Sequence, residues 1–145
     1  MDLFGLHFRL CLLALTLQLE ETALKLILQN PEASWDALPD KQKEKAKKTY
    51  RRWKGGSNGA DRSPYRRLLS CTSFNDKDII IAKRKLFGRD DMNITKVFQE
   101  AGTIRNYCAH TKPEDIPEAM SDPEALNKAV QDIQQLILRL DNACY

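Results

Sequence analysis

The chain offers very little metal-binding chemistry. It carries two histidines, His7 and His110, and four cysteines, Cys11, Cys71, Cys108 and Cys144, none in a CxxC pair. Scattered thiols of this kind read as free cysteines of a reducing compartment, with no disulfide frame and no zinc site. A phosphate-cradling loop is also missing. GGSNG at 55–59 neither follows a strand-like run nor precedes Lys-Ser/Thr, which argues against P-loop and dinucleotide sites, and no cofactor is expected. Asp90 and Asp91 stand without a further acidic cluster, so they read as charges at a helix N-terminus. Ser70 and Cys71 have no neighbouring base. Long uncharged apolar runs are absent as well: LCLLALTLQL follows Arg9 and ends at Glu20-Glu21. Asp2, the lack of a basic cluster and the lack of a small-residue cleavage site point to a buried first helix, not a signal peptide or a membrane span. A cytoplasmic protein without membrane contact is the expectation, and no repeats are visible.

With 145 residues, 30 % charged and 42 % apolar, the chain reads as one globular domain spanning 1–145. The net charge of +3 is unevenly spread. Residues 39–67 carry eleven basic and three acidic groups, while 113–145 carry two and seven. Such asymmetry marks an anionic partner.

Three-four spacing of Leu3, Leu6, Leu10, Leu13, Leu17, Leu24 and Ile27 predicts a helix over 3–29 with those residues on its buried face, ended by Asn30-Pro31. Pro39-Asp40 opens a second, almost wholly polar helix, and 55–62 reads as a flexible Gly-rich loop. Ser63 as N-cap with Pro64 at the first helical position starts a short helix through Leu69. Ile79, Ile80 and Ile81 suit a strand, but no second run exists to pair with them, so NDKDIIIAKRKLFG is expected to be helix ended by Gly88. Asn93 caps a helix with Ile94, Val97, Phe98, Ala101, Ile104 and Cys108 on its stripe. Ser121-x-x-Glu124 forms a capping box for the last helix, with Pro123 in its first turn. The fold class is all-α: a bundle of four long helices plus one or two short ones.

One residue breaks this pattern. At about 100° per residue, Arg105 falls about 20° from Ile94 around the axis, inside the apolar stripe. A lone charge there costs several kcal/mol, so it needs an anion, either a carboxylate of the fold or a bound phosphate. Asn106 borders the same face. His110 points away if the helix continues, but Pro113 biases the chain out of helix, and His110 can then swing back towards Arg105.

Arg105-Asn106-x-x-x-His110 at a helix end in an all-α domain resembles the HEPN superfamily, whose motif is Arg, four to six residues, then His, often with a polar residue directly after the Arg. The resemblance implies a helical bundle that pairs across a two-fold axis and a metal-independent ribonuclease of toxin, defence or RNA-processing type. It carries with it an antitoxin or other regulatory partner. Where one subgroup has a modified tyrosine two residues after the histidine, Lys112 stands here, which argues against that control. In this reading His110 transfers protons near neutral pH, Arg105 grips the scissile phosphate, and Asn106 positions either group. The 2′-hydroxyl of RNA is the nucleophile and a 2′,3′-cyclic phosphate the product. The plainer alternative is an internal ion pair for Arg105, with His110 capping the helix.

A second candidate is the basic run from Lys41 to Lys54. Lys45, Lys48, Arg51, Arg52, Trp53 and Lys54, with Arg66 and Arg67 beyond the glycine loop, form an expected RNA-binding set. The alternative here is a solvated helix face, with Tyr50 and Trp53 docking it on the core. Taken together, the expectation is a dimeric endoribonuclease; the runner-up is a non-catalytic RNA- or protein-binding module. The opening MDLFGLHFRL also fits an effector domain cut from a longer protein.

Overall fold

The computed structural model describes residues 3–54, 64–86, 91–109 and 117–144, and every regular element among them is helical. In chain order these are α1 (Leu3–Ile27), α2 (Pro31–Ala37), α3 (Asp40–Lys54), α4 (Tyr65–Ser70), α5 (Phe74–Lys83), α6 (Asp91–Ala109), a 3-10 turn (Glu118–Met120) and α7 (Pro123–Ala143). The all-α expectation therefore holds. The two long helices near the C-terminus, α6 and α7, pack on α1 and on each other, and α5 closes the remaining side of α1.

The core is built from Leu19, Ala23 and Ile27 of α1, Phe74, Ile80 and Ile81 of α5, Phe98, Ala101 and Ile104 of α6, and Ile133, Leu136 and Leu140 of α7. Phe74 and Phe98 meet in a tilted pair with centroids 5.5 Å apart. Each large side chain removed from water contributes about 1.5–3 kcal/mol, which sets the order of these helices around α1.

α1 is turned by about 120° from its expected register. Among the side chains of α1 that are described, the buried ones are Leu12, Thr16, Leu19, Ala23, Leu26 and Ile27; of the described residues of the predicted stripe only Ile27 is fully buried, and Leu10 and Leu17 are 54 % and 44 % exposed. The helix is apolar nearly all round, so two faces satisfy the same spacing. The chosen face contains Thr16 and Ala23, both fully buried, whose small side chains let neighbouring helices approach closely. Spacing alone does not rank one face above the other. Thr16 satisfies its hydroxyl locally by donating to the Leu13 carbonyl at 2.8 Å.

Several ends also differ. Asn30-Pro31 does stop α1, but it immediately launches α2, which was not expected: the Asn30 side chain accepts from Ala33 N–H and Pro31 takes the first helical position. The next helix begins at Asp40, as Pro39-Asp40 implied. Ser63 and the 55–62 segment lie outside the described residues; Pro64 holds the cap position of α4, one residue ahead of Tyr65.

α5 begins with a capping box that the sequence reading passed over. Ser73 Oγ accepts from Asp76 N–H at 3.2 Å, and Asp76 Oδ2 accepts from Ser73 N–H at 3.0 Å. The helix then stops at Lys83, short of Gly88. Lys85 takes a left-handed φ of 52°, Leu86 N–H donates to the Ile81 carbonyl, and Lys85 N–H donates to that of Ala82. This is a Schellman end without its usual glycine, held by the packing of Leu86 on the core. Asn93 is the third residue of α6 and not its cap, since the helix starts at Asp91. At α7 the cap is Asp122, accepting from Ala125 N–H at 2.8 Å, and Ser121 instead donates to the Glu118 carbonyl; Pro123 opens the helix as expected. Aspartate binds the orphan N–H groups as well as serine does, and lies one residue nearer the helix. Among the described residues, no helix is long and apolar enough to cross a membrane.

Candidate phosphate site and basic ridge

α6 carries its buried stripe on Ile94, Phe98, Ala101 and Ile104, which are at most 3 % exposed. Arg105 follows on that stripe and is half-buried. The stem is nevertheless enclosed: Nε is buried and has no hydrogen-bond partner among the described residues. No carboxylate pairs with Arg105 among the described residues. Asn106 is exposed. His110 lies outside the described residues.

Arg105 has another cation in its surroundings. It lies within electrostatic reach of Lys77, which is 3 % exposed on the first turn of α5. Lys77 Nζ donates to the carbonyls of Thr72 at 2.9 Å and Ser73 at 3.4 Å and lies 3.5 Å from Glu20 Oε2 on α1. Burial pushes the Lys77 ammonium below the usual lysine range, Glu20 and Asp76 act against that shift, and Arg105 adds to it. Cys71, in the turn before α5, has its thiol pushed up by burial in spite of the Lys77 charge, which leaves it protonated and unreactive. Cys108 behaves alike, with burial outweighing Arg9. Further along α5, Asp78 is pushed up to about 6 by burial, against a hydrogen bond from Thr95, and its Oδ1 is buried without a partner. Among the described residues, no group of three or more His, Cys, Asp or Glu side chains is placed to hold a metal ion.

Lys77 and Glu20 were missed in the sequence, although the signal was there. Once Ser73 is recognised as the cap, Lys77 falls three and four residues from Phe74, Ile80 and Ile81 on one stripe. The placement test that exposed Arg105 finds Lys77 too.

The basic set sits elsewhere, on α3, which packs chiefly against α4. Ala46 and the half-buried Tyr50 hold α3 to the body. Lys41, Lys45, Lys48 and Arg52, all exposed, follow i, i+4, i+7, i+11 and fall within about 60° of one another around the axis, a ridge about 16 Å long. The two acids of α3 are engaged by other lysines: Asp40 lies 4.0 Å from Lys43, and Glu44 lies 3.4 Å from Lys47. No ion pair is found for the ridge residues or for exposed Arg51 among the described residues. Trp53 is 83 % exposed, so it does not dock the helix on the core. Its direction continues that of Ala46 and Tyr50, yet the side chain is left uncovered. Trp35, the other tryptophan, is 6 % exposed. Arg66 donates to the Leu28 carbonyl at 3.3 Å, capping the end of α1, and exposed Arg67 is also engaged. Of Lys54 only the backbone is described.

Compared with protein-family models, curated proteins and solved structures, the chain matches none.

Two positively charged features are therefore described: the ridge on α3, and Arg105 of α6, within electrostatic reach of Lys77. A groove of about 860 Å³ between α6 and α7, lined by residues such as Lys96, Glu100, Lys128, Asp132 and Arg139, opens on the far side of α6 from Arg105. Its mixed charges do not select an anion, and it is not part of the arginine site.

Proposed function

We propose that the chain is an HEPN-like endoribonuclease of toxin, defence or RNA-processing type. The carrying observation is Arg105, a half-buried guanidinium whose enclosed Nε has no hydrogen-bond partner and which pairs with no carboxylate among the described residues. A phosphate oxygen matches the planar fork of guanidinium donors in geometry and charge. His110, five residues on, supplies proton transfer in this reading, and Asn106 orients the phosphate or the imidazole. Attack forms the O2′–P bond and breaks the P–O5′ bond; the 2′-hydroxyl proton leaves to a base and the 5′-oxygen receives one. Guanidinium charge stabilises the phosphorane between the two steps.

A single histidine per chain suits a two-fold dimer, which brings two motifs together. The outward stripe of α1 supports this: Leu10 and Leu17 are exposed apolar side chains, and Leu13 and Leu17 lie within about 60° of Glu20 around the helix. A dimer through that stripe sets two arginine sites near one axis, and a neutralising protein partner has the same surface to occlude.

The test is cleavage of single-stranded RNA in EDTA, with product ends identified by mass spectrometry. The expected result is 2′,3′-cyclic phosphate and 5′-hydroxyl ends, lost in Arg105→Ala and His110→Ala. Full activity in His110→Ala overturns the mechanism. The ridge and Trp53 favour a second reading, an RNA-binding module without cleavage. That reading is selected if RNA binds tightly and stays intact.

A further inference from the structure

Helix α1 brings His7 and Cys11 together on its exposed face. Four residues apart, they stand one turn above the other, and Cys11 Sγ lies 3.8 Å from His7 Nε2. Tetrahedral zinc takes sulfur at about 2.3 Å and imidazole nitrogen at about 2.0 Å, which sets those two ligand atoms about 3.6 Å apart. The pair thus has close to the donor spacing of half a zinc site before any ion binds. The expectation of no zinc site rested on the lack of a CxxC pair; the spacing here is His-x-x-x-Cys. Residues four apart on a helix chelate one ion without bending the backbone. Among the described residues no third His, Cys, Asp or Glu joins them, and a four-coordinate ion needs two more ligands.

We propose that His7 and Cys11 are a half-site for a thiophilic divalent ion of the zinc class, completed by the same pair of a second copy of the chain. The surface around the pair selects that occupant. Leu10 and Phe8 lie about 80° to either side of the line through His7 and Cys11 around the helix. They are 54 % and 40 % exposed, and Leu10 ties this face to the outward stripe of α1. Ala14, exposed between Leu10 and Cys11, is small enough to let another helix approach. A two-fold axis through this face covers both apolar flanks and sets two imidazoles and two thiolates around one ion. Two thiolates cancel the charge of a divalent ion, so the closed site is neutral between apolar side chains. Binding releases the two thiol protons to solvent. With all four positions filled by protein, the ion fastens the dimer and takes no part in RNA cleavage, so the inference stands apart from the nuclease reading.

The experiment titrates Co2+, a spectroscopic stand-in for zinc, into the reduced, metal-free full chain. The expected result is thiolate-to-cobalt charge-transfer absorption with the intense visible bands of a tetrahedral ion, saturating at one Co2+ per two chains. Light scattering then follows the mass in Zn2+ and in EDTA. With free Zn2+ at about a hundred times its dissociation constant from the dimer, association tightens by about a hundredfold over EDTA. His7→Ala and Cys11→Ser change exposed side chains that the core does not need, and each is expected to abolish both signals. Cys144→Ser removes a thiol at the far end of the chain and keeps both. Saturation at one ion per chain with unchanged mass overturns the shared site. Absence of the charge-transfer band, or wild-type signals in either His7→Ala or Cys11→Ser, overturns the half-site itself.

Discussion

Replacing Lys45, Lys48 and Arg52 together with glutamine strips most of the α3 ridge without touching the core, since all three are exposed. Single-stranded nucleic acid releases about 0.7 counterion for each phosphate neutralised. Four ridge cations, Lys41 included, then give a log–log salt slope near −2.8, and the triple variant keeps about −0.7 from the ridge. Between roughly 50 mM and 200 mM salt the wild-type affinity should fall about fifty-fold and that of the variant less than about threefold. Trp53 reports the same event. It is the exposed one of two tryptophans, so its emission is red-shifted and quenched when a base stacks on it, while buried Trp35 serves as an internal reference. Stacking contributes about 1–3 kcal/mol per base, so Trp53→Ala should weaken binding by at least about fivefold. Titrating 2′-O-methyl RNA into the protein at several salt concentrations measures both effects. Equal slopes for wild type and triple variant, with unchanged Trp53 emission, would show the ridge to be a solvated helix face.

Asp78 is pushed up to about 6, so the folded state holds its proton more tightly than the unfolded chain does; its contribution therefore falls as pH rises from about 4 through about 6. Asp78→Asn should raise the melting temperature at pH 8 and leave it nearly unchanged at pH 4, and a larger gain at pH 4 defeats the assignment. Leu10→Glu with Leu17→Glu should shift a dimer to monomer in light scattering while costing little monomer stability, because both side chains are already well exposed. An unchanged mass shows that α1's outer stripe is not the interface. Ser73→Ala removes the acceptor for Asp76 N–H and should cost about 1 kcal/mol in urea unfolding. A smaller loss means that water replaces the hydroxyl.

How far the sequence could be read is clearest residue by residue. Arg105 stood out because a charge falling in a 3.6-residue apolar stripe is a local, countable anomaly. Lys77 is the same anomaly one helix earlier, hidden by a missed cap. The Schellman end at Lys85 was out of reach, because a lysine there carries no signal and only Leu86 seated on the core holds it in the left-handed region. Trp53 looked like an anchor by direction, and its exposure could not be read from spacing.

Periodicity, caps and prolines are properties of neighbouring residues, so the chain by itself determined that this protein is all-helical, where α1, α3 and α7 begin, and that α3 is a basic rod. Which face of α1 turns inward, whether Arg105 meets an acid, and whom Glu20 serves depend on side chains that come together from distant parts of the chain. Only the packing of α1 against α5, α6 and α7 decided those, because burial and pairing are energies of contact and not of sequence.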